Sequence, residues 1–453
     1  MSRATSTINS PVKATPSIVE LAQQIQSDTR LISSYLAENC LPELSLAGDA
    51  YPFFPGTGPP HVEKYQRPPK QVLEARVQAR DACEKLMQLL SGAADHFGSY
   101  ITLHLSSAAI QYLYHFRIPE FVPVEGKCTF QEVATKAGVD ASQCSRVLRA
   151  AMTSGYFEEP EIGYVAHTAG SKLFLNPDLK DAVGYVIEDT FPAASKLAEA
   201  IEKYPASQET NETAWNLAHG TDLSVFQYFE KHPSRMKRFM GAMRMMSERE
   251  GFDLKYLVEG YSWEALGKGL VVDVGGNFGH CSYAIAATAP DLNFIVQDLD
   301  EVVQAAKTQR LKNQEEGKIK FEAHDFFETQ PIENADVYLL RFICHDHSEK
   351  YAAKILANIV SAMGPTSRII IMDGVLPPPG TLTRAEERRL RIMDMNMMIS
   401  FNSGERELDG WKSLFKMAGS RLGLRYIVTP PGSALSIMEL DLRGPDSIRS
   451  PTR

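Results

Sequence analysis

Several absences narrow what this chain can be. Its 453 residues hold six cysteines, at 40, 83, 128, 144, 281 and 344, with no Cys-x-x-Cys pair and no zinc-type spacing. Neither a disulfide framework nor a structural zinc site is expected; reduced, mostly buried thiols in a cytoplasmic protein are. Positive charge is in deficit, 47 Lys and Arg against 56 Asp and Glu. The basic surface that nucleic acid or an anionic membrane would require is therefore missing. No apolar run is long enough to span a bilayer. The first residues, Met-Ser-Arg-Ala-Thr-Ser-Thr, lack the apolar centre of a secretory signal. What is present, 44% hydrophobic and 23% charged residues, is the composition of a soluble globular protein, and the length suggests two or three domains.

The most informative stretch runs from Leu270 to Ala286. Leu270-Val-Val-Asp-Val274 reads as a buried strand. Gly275, Gly276 and Gly279 follow, and helical composition begins at Ser282. A glycine turn between strand and helix lets the backbone approach a nucleotide-type ligand closely. Asn277, His280, Phe278 and Cys281 stand where a Gly-x-Gly-x-x-Gly dinucleotide fingerprint would need glycine, and no Gly-Lys-Ser/Thr ends a phosphate loop. Instead Asp273 precedes the first glycine. An acid there repels a pyrophosphate and suits a ligand with a cationic amino-acid moiety, such as S-adenosylmethionine. Asp298 ends the next predicted strand, Asn293–Gln297, near the spacing at which a carboxylate reaches ribose hydroxyls.

Strand and helix keep alternating: Lys318–Ala323, Ala335–Arg341 and Arg368–Met372 as strands, Glu301–Lys312 and Ser348–Met363 as helices. This predicts a doubly wound, parallel Rossmann-like α/β sheet. Asp273, Asp298, Asp325, Arg341 and Asp373 then converge on its carboxyl edge, where ligands bind.

The N-terminal part is of another kind. Residues 1–16 are rich in Ser, Thr and Pro and are expected to be disordered. Ser17 caps an amphipathic helix to Glu38, residues 40–69 form a Pro/Gly-rich linker, and Val72–His96 is again helical. Those two helices have apolar faces without an evident partner, which suggests a homodimer. Thr129–Gly138 shows a capping box and a closing glycine. A second helix spans Asp140–Met152, and a hairpin pairs Tyr156–Glu159 with Gly163–Thr168. Helix, turn, helix, hairpin is a winged helix, but Glu158, Glu159 and Glu161 make its wing acidic, so it reads as a packing and dimerisation module. From Leu179 to Tyr256 the chain is helical. Asp189–Phe191, Phe226, Tyr228, Phe239 and Met240, with Met243, Met245 and Met246, are candidate walls of a pocket for a flat apolar ligand. The division is 17–180 for the helical and winged-helix region and 181–443 for the sheet domain, with a tail at 444–453.

Beyond the fourth strand lies Leu340-Arg-Phe-Ile-Cys-His345-Asp346-His347. A histidine here suits proton removal at neutral pH, and Asp346, Asp373 or Glu405 are placed to orient it. A metal is not expected: His345 and His347, two apart, share no helix face, and no third ligand is evident.

Asp273-Val-Gly-Gly-x-x-Gly279, Asp298-Leu299, Asp325-Phe326, Arg341-x-x-x-His345-Asp346, Asp373-x-x-Leu376-Pro377 and Gly404-Glu405-Arg406 occur in the order and approximate spacing of the caffeate/flavonoid-type O-methyltransferases. Ser99–Leu442 resembles that family. Its fungal branch, with the sterigmatocystin O-methyltransferases of polyketide pathways, is the most similar. The resemblance implies an N-terminal dimerisation region and a C-terminal S-adenosylmethionine domain. It implies cofactor contacts at Gly275, Asp298, Asp325, Phe326 and Arg341, beside Asp273 and Gly276 of the turn. His345 would be general base, flanked by Asp373 and Glu405, and Met397 would pack on the substrate ring beside Met243 and Met246. The implied reaction is metal-free methyl transfer from S-adenosylmethionine to a phenolic hydroxyl of an aromatic, polyketide-type molecule. Asn277, Arg341, Asp373 and His347 depart from the family's usual glycine, lysine, glutamate and tryptophan. Two other readings stay open: a silent relative acting as a binding or regulatory partner, and an enzyme whose acceptor is nitrogen or carbon.

Overall fold

The computed structural model describes residues 16–58, 63–247, 251–313 and 318–442. The expected disordered start, except residue 16, and the expected tail at 444–453 lie outside these.

Ser17 caps the first helix, Ile18–Glu38, through a reciprocal bond pair with Glu20, satisfying donors that helical geometry leaves free. The second helix runs longer than expected, Lys70–Ile101, and kinks at Gly92, whose φ of 70° only glycine adopts readily. Ile32 and Leu36 pack with Val72 and Ala75. The segment expected as an extended linker is folded back. Glu63 accepts from the Tyr51 hydroxyl at 2.9 Å and from the Gly58 amide at 2.5 Å, Phe54 is buried with Arg76 over its ring, and Ala169 N–H donates to Leu46. A proline- and glycine-rich composition predicts turns, and here the turns close on themselves. The second helix also reaches the C-terminal half, where Arg384 and Arg388 bond Gln88 and Glu84.

The winged-helix elements form as expected, with helices Phe130–Ala137 and Ala141–Met152 capped by Thr129 and Asp140. The hairpin does not. Tyr164–Ala166 pairs antiparallel with Lys127–Thr129, and Glu158 meets Ala166 in a single bridge. Arg149 binds Glu159 in a fork at 2.7 and 2.8 Å, which spends the acidic wing on the basic helix beside it. Cys144 and Cys344 are buried, Cys40 and Cys83 are exposed, and all six thiols are free; the thiols are thus less buried than composition suggested.

The central sheet has seven strands: β1 (Leu270–Val274), β2 (Asn293–Asp298), β3 (Ile319–Ala323), β4 (Val337–Arg341), β5 (Arg368–Asp373), β6 (Gly423–Val428) and β7 (Ser436–Asp441). Their order is β6-β7-β5-β4-β1-β2-β3. β1 to β5 are parallel, as the strand–helix alternation requires. β7 runs antiparallel to both neighbours, a departure from the all-parallel expectation. Arg425 and Asp441 pair between β6 and β7 at 2.6 Å. Helices cover both faces, so the central strands are continuous apolar runs; Ile369 to Met372 are fully buried. The chain reverses direction across the sheet between β1 and β4, the switch point where such sheets bind ligands.

Leu340 on β4 is fully buried in the face packed on helices Glu349–Ala362 and Leu408–Ala418. Leu340→Ala is expected to cost about 2–5 kcal/mol, read as a lower urea midpoint with an unchanged transition slope.

Candidate active site

The glycine turn follows β1. Gly275 and Gly279 have φ of 68° and 78°, and Asn277 takes 52°, a conformation its short polar side chain tolerates. A Cβ at Gly275 would stand 2.6 Å from Ile343 and 3.5 Å from the Phe326 ring; one at Gly276 would stand 2.7 Å from the Asp273 carboxyl carbon. Asp273 does not face outward. It is 2% exposed and accepts from the Ser282 hydroxyl at 2.7 Å. Burial pushes its carboxyl up to about 6, against the Ser282 bonds and the Arg341 charge. Asp273 therefore braces the turn from beneath. The sequence could not reveal this, because the alternative partner, Ser282, lies on the following helix.

Asp298 ends β2 as expected. Its two carboxylate oxygens accept from the amides of Asn277, at 2.8 Å, and Leu299, at 2.9 Å. Burial raises its pKa and those bonds oppose the rise. Asp325 is exposed after β3 and accepts from the Phe327 amide at 2.9 Å. The Phe326 ring meets the edges of Phe327 and His347, with centroids 4.9 and 5.5 Å apart. Arg341 donates to the Phe252 carbonyl at 2.5 Å and lies over the Phe342 ring, but its buried Nε has no partner.

His345 lies in a short turn, Cys344–Asp346, and is 9% exposed. Its Nδ1 is 3.0 Å from Glu405 Oε1, and its Nε2 is 3.4 Å from Asp346 Oδ1. Asp373 reaches the His345 backbone amide at 3.2 Å, not the ring, and also accepts from the Gly374 amide at 3.0 Å. The shorter acid thus holds the turn and Glu405 holds the imidazole. Gly374 makes this possible, since a Cβ there would stand 2.5 Å from Glu405 Oε2. Asp394 accepts from the Glu405 amide at 2.9 Å. Possible ligand atoms of His345, Asp373 and Glu405 lie within 4.8 Å of one another, so the fold brings to His345 two acids that the linear sequence keeps apart, without His347. Burial disfavours charge on His345, but Asp346, Asp373 and Glu405 together outweigh it and push the imidazole up to about 10. Burial, then the charges of His345 and Arg406, drive His347 down to about 3.

Two residues that sequence reasoning missed shape the turn. Phe342 takes φ 58°, a strained setting for an aromatic side chain, and its ring centroid lies 5.4 Å from that of His345. No sequence signal marks it. Arg406 was visible only as part of a motif. It is buried and donates to the carbonyls of Cys344 and His347, both at 2.7 Å, and to Glu349 at 2.6 Å.

Among the expected pocket residues, Met243, Met245 and Met397 join one cluster with Phe226, Phe239 and Phe401. Met246, partly buried on the same helix, is not part of it. The helix carrying Met397, Arg384–Phe401, contacts the His345 turn.

A switch-point glycine turn, an anchored acid ending β2 and a buried imidazole beyond β4 define a group-transfer enzyme using a nucleoside-type co-substrate. Residues 195–421 match the O-methyltransferase domain and 99–177 the O-methyltransferase dimerisation domain. O-methyltransferase VdtC of Byssochlamys spectabilis is 41% identical over 95% of this chain and 98% of its own length. O-methyltransferase bik3 of Gibberella fujikuroi is 37% identical over 93% and 92%. The crystal structure of OxaC shares the fold with a TM-score of 0.72 at 22% identity, covering 93% of this chain and all of OxaC. The chain belongs to the O-methyltransferase family, and it is an S-adenosylmethionine-dependent enzyme of that family. Among the described residues no helix is long and apolar enough to cross a membrane.

Arg406→Leu takes the guanidinium from the buried His347 carbonyl, worth about 1–3 kcal/mol when unsatisfied, and leaves the Cys344 carbonyl only the His347 amide at 3.3 Å. A loss of about 1–3 kcal/mol is expected in urea unfolding, with activity falling in the folded fraction because the His345 turn loosens.

Proposed function

We propose that the enzyme methylates a phenolic hydroxyl of an aromatic, polyketide-type small molecule, with His345 as general base. The observation that carries this reading is the imidazole itself. Its Nδ1 is tied to Glu405, which leaves Nε2 as the proton-accepting atom, and the turn is touched by the helix that bears Met397 in a wall of methionine and aromatic side chains. Such walls suit flat apolar rings.

The cofactor edge fits an adenosyl group. Each Asp298 oxygen spends one lone pair on a backbone amide and keeps another for a ribose hydroxyl. The Arg341 Nε is a buried donor without a partner, and any Cβ at Gly275 would clash with Ile343, 2.6 Å away. Asp298, Asp325, Phe326 and Arg341 would hold the co-substrate, with Gly275 and Gly276 allowing close approach. Bound S-adenosylmethionine supplies a methyl already activated by its sulfonium. The chain's own contribution is to place the acceptor oxygen and to take its proton on Nε2. The scheme needs no metal, because the sulfonium already activates the methyl. A silent binding partner would have no use for this arrangement, and the oxygen specificity of the family argues against a nitrogen or carbon acceptor.

We place the enzyme in the cytoplasm, in keeping with its six free thiols, as a homodimer joined through its N-terminal helices. Leu90, Phe97, Tyr100 and Leu105 are each at least 60% exposed, and large apolar side chains grouped on one helical stretch suit an interaction surface. Light scattering of the full chain is expected to give twice the monomer mass, and Leu90→Glu with Phe97→Glu to give the monomer.

At neutral pH, His345→Ala should lower kcat by about two to four orders of magnitude while leaving co-substrate affinity near wild type. Because the carboxylates raise the imidazole pKa, its protonated form persists above the ordinary 6.5 and is lost as pH climbs toward about 10. The wild-type rate should therefore rise through that window. With S-adenosylmethionine bound, its sulfonium opposes protonation of the imidazole and moves the wild-type rise to lower pH; the variant's rate should rise later, as the acceptor ionises unaided near pH 10, the value of an ordinary phenol, so the two profiles converge at the alkaline end. A parallel gap at every pH, with a lower melting temperature, would reassign His345 to structure.

A further inference from the structure

Tyr185 begins an unusual segment. From Tyr185 to Thr190 the backbone forms a π-helical turn, a rare geometry that recurs at functional sites. A buried anion holds it there. Asp189 is fully buried; Arg235 pairs with one carboxylate oxygen and Arg238 donates to the other at 3.1 Å, while His219 Nε2 lies 2.9 Å from the Asp189 carbonyl. Gly184, just before the turn, has no room for a Cβ because Tyr114 and Arg238 fill the space. This anchoring exceeds what a tyrosine buried only for packing would need.

The π-turn sets Tyr185, 6% exposed, into the wall of the pocket, its ring edge-on to Phe239 at 5.4 Å. Burial, and after it the charges of Asp346 and Asp189, keep the phenol protonated. The Asn396 side chain is its hydrogen-bonding neighbour and acts in the opposite sense. An amide can donate to a phenol oxygen, and a phenol that accepts there keeps its own O–H to donate. Asp346, which feels this phenol, is also the carboxylate 3.4 Å from His345 Nε2. The helix Arg384–Phe401, which bears Asn396, touches both the π-turn and the His345 turn, so Tyr185 and the proposed base lie along one wall.

We propose that Tyr185, backed by Asn396, orients the acceptor: its hydroxyl donates a hydrogen bond to a second oxygen of the substrate, so the pocket selects phenols that carry a carbonyl or hydroxyl oxygen close to the one methylated. This rests on the phenol reading of the His345 site and adds the feature by which one phenol is preferred over another.

The test uses the full-length protein saturated with S-adenosylhomocysteine and two probes of one skeleton, 1-naphthol and 1,8-dihydroxynaphthalene, with binding measured by calorimetry. Wild type should bind the dihydroxy probe about tenfold more tightly, the worth of one hydrogen bond. Tyr185→Phe keeps the ring on Phe239 and should abolish that preference. Its affinities for 1-naphthol and S-adenosylhomocysteine, and its melting temperature, should stay unchanged. In turnover the loss should fall on KM more than on kcat. Asn396→Leu should reduce the same preference, and it carries the comparison alone if Tyr185→Phe melts early. Absence of a preference in wild type, no binding of either probe, or equal weakening of both probes in Tyr185→Phe overturns the assignment. If the preference and its loss are seen while neither probe is methylated, the Tyr185 assignment stands and the phenol-methylation reading falls.

Discussion

Arg406 is buried, and its guanidinium bonds converge on a single turn: the Cys344 carbonyl, the His347 carbonyl and Glu349. A buried guanidinium is tolerated only when it is paired and hydrogen-bonded, so this side chain has one arrangement that satisfies it. The turn is held for the same reason, because its carbonyls have Arg406 as donor. Glu405 is the next residue along the chain. With Arg406 fixed, Glu405 is delivered to His345 Nδ1, its amide caught by Asp394 and its carboxylate admitted by Gly374. One buried cation thus sets both the imidazole and the acid that orients it.

Two imidazoles two residues apart meet opposite electrostatic fates in this turn. His345 and His347 are both buried, and burial alone would keep both neutral. Three carboxylates reverse that for His345 and push it up to about 10. The positive charge this creates, with Arg406 on the other side, drives His347 down to about 3. His347 is then free to serve as a neutral ring against Phe326 and Phe327. A cationic sulfonium brought beside His345 would oppose its protonation by the same physics, bringing the imidazole toward the range where a base is useful.

The parallel strands, the glycine turn, the acid at 298 and the histidine at 345 were legible because each follows from local periodicity or from a short motif at a strand end. Glu405 and Asp373 were legible as a set, but their division of labour was not. Which acid reaches the ring and which the backbone depends on Gly374 and on one methylene of side chain. Asp273 was legible as the acid before the glycine turn, but its burial and its bond to Ser282 were not. β6, β7 and the reversed direction of β7 went unread, since nothing in a short apolar run states which neighbour it pairs with. The folded-back segment before the second helix was missed for a related reason: proline and glycine announce turns without saying where they close.

The methionine and aromatic wall belongs to helices outside the sheet, between Tyr185 and Ser247 and along Arg384–Phe401, whereas the glycine turn, Asp298, Arg341 and His345 all hang from strand ends. Side chains can change on the first set without moving a strand of the second. Divergence among enzymes of this lineage should therefore accumulate in the wall while the sheet edge stays constant, and a new acceptor can be acquired by substitution there with the methyl-transfer chemistry inherited intact.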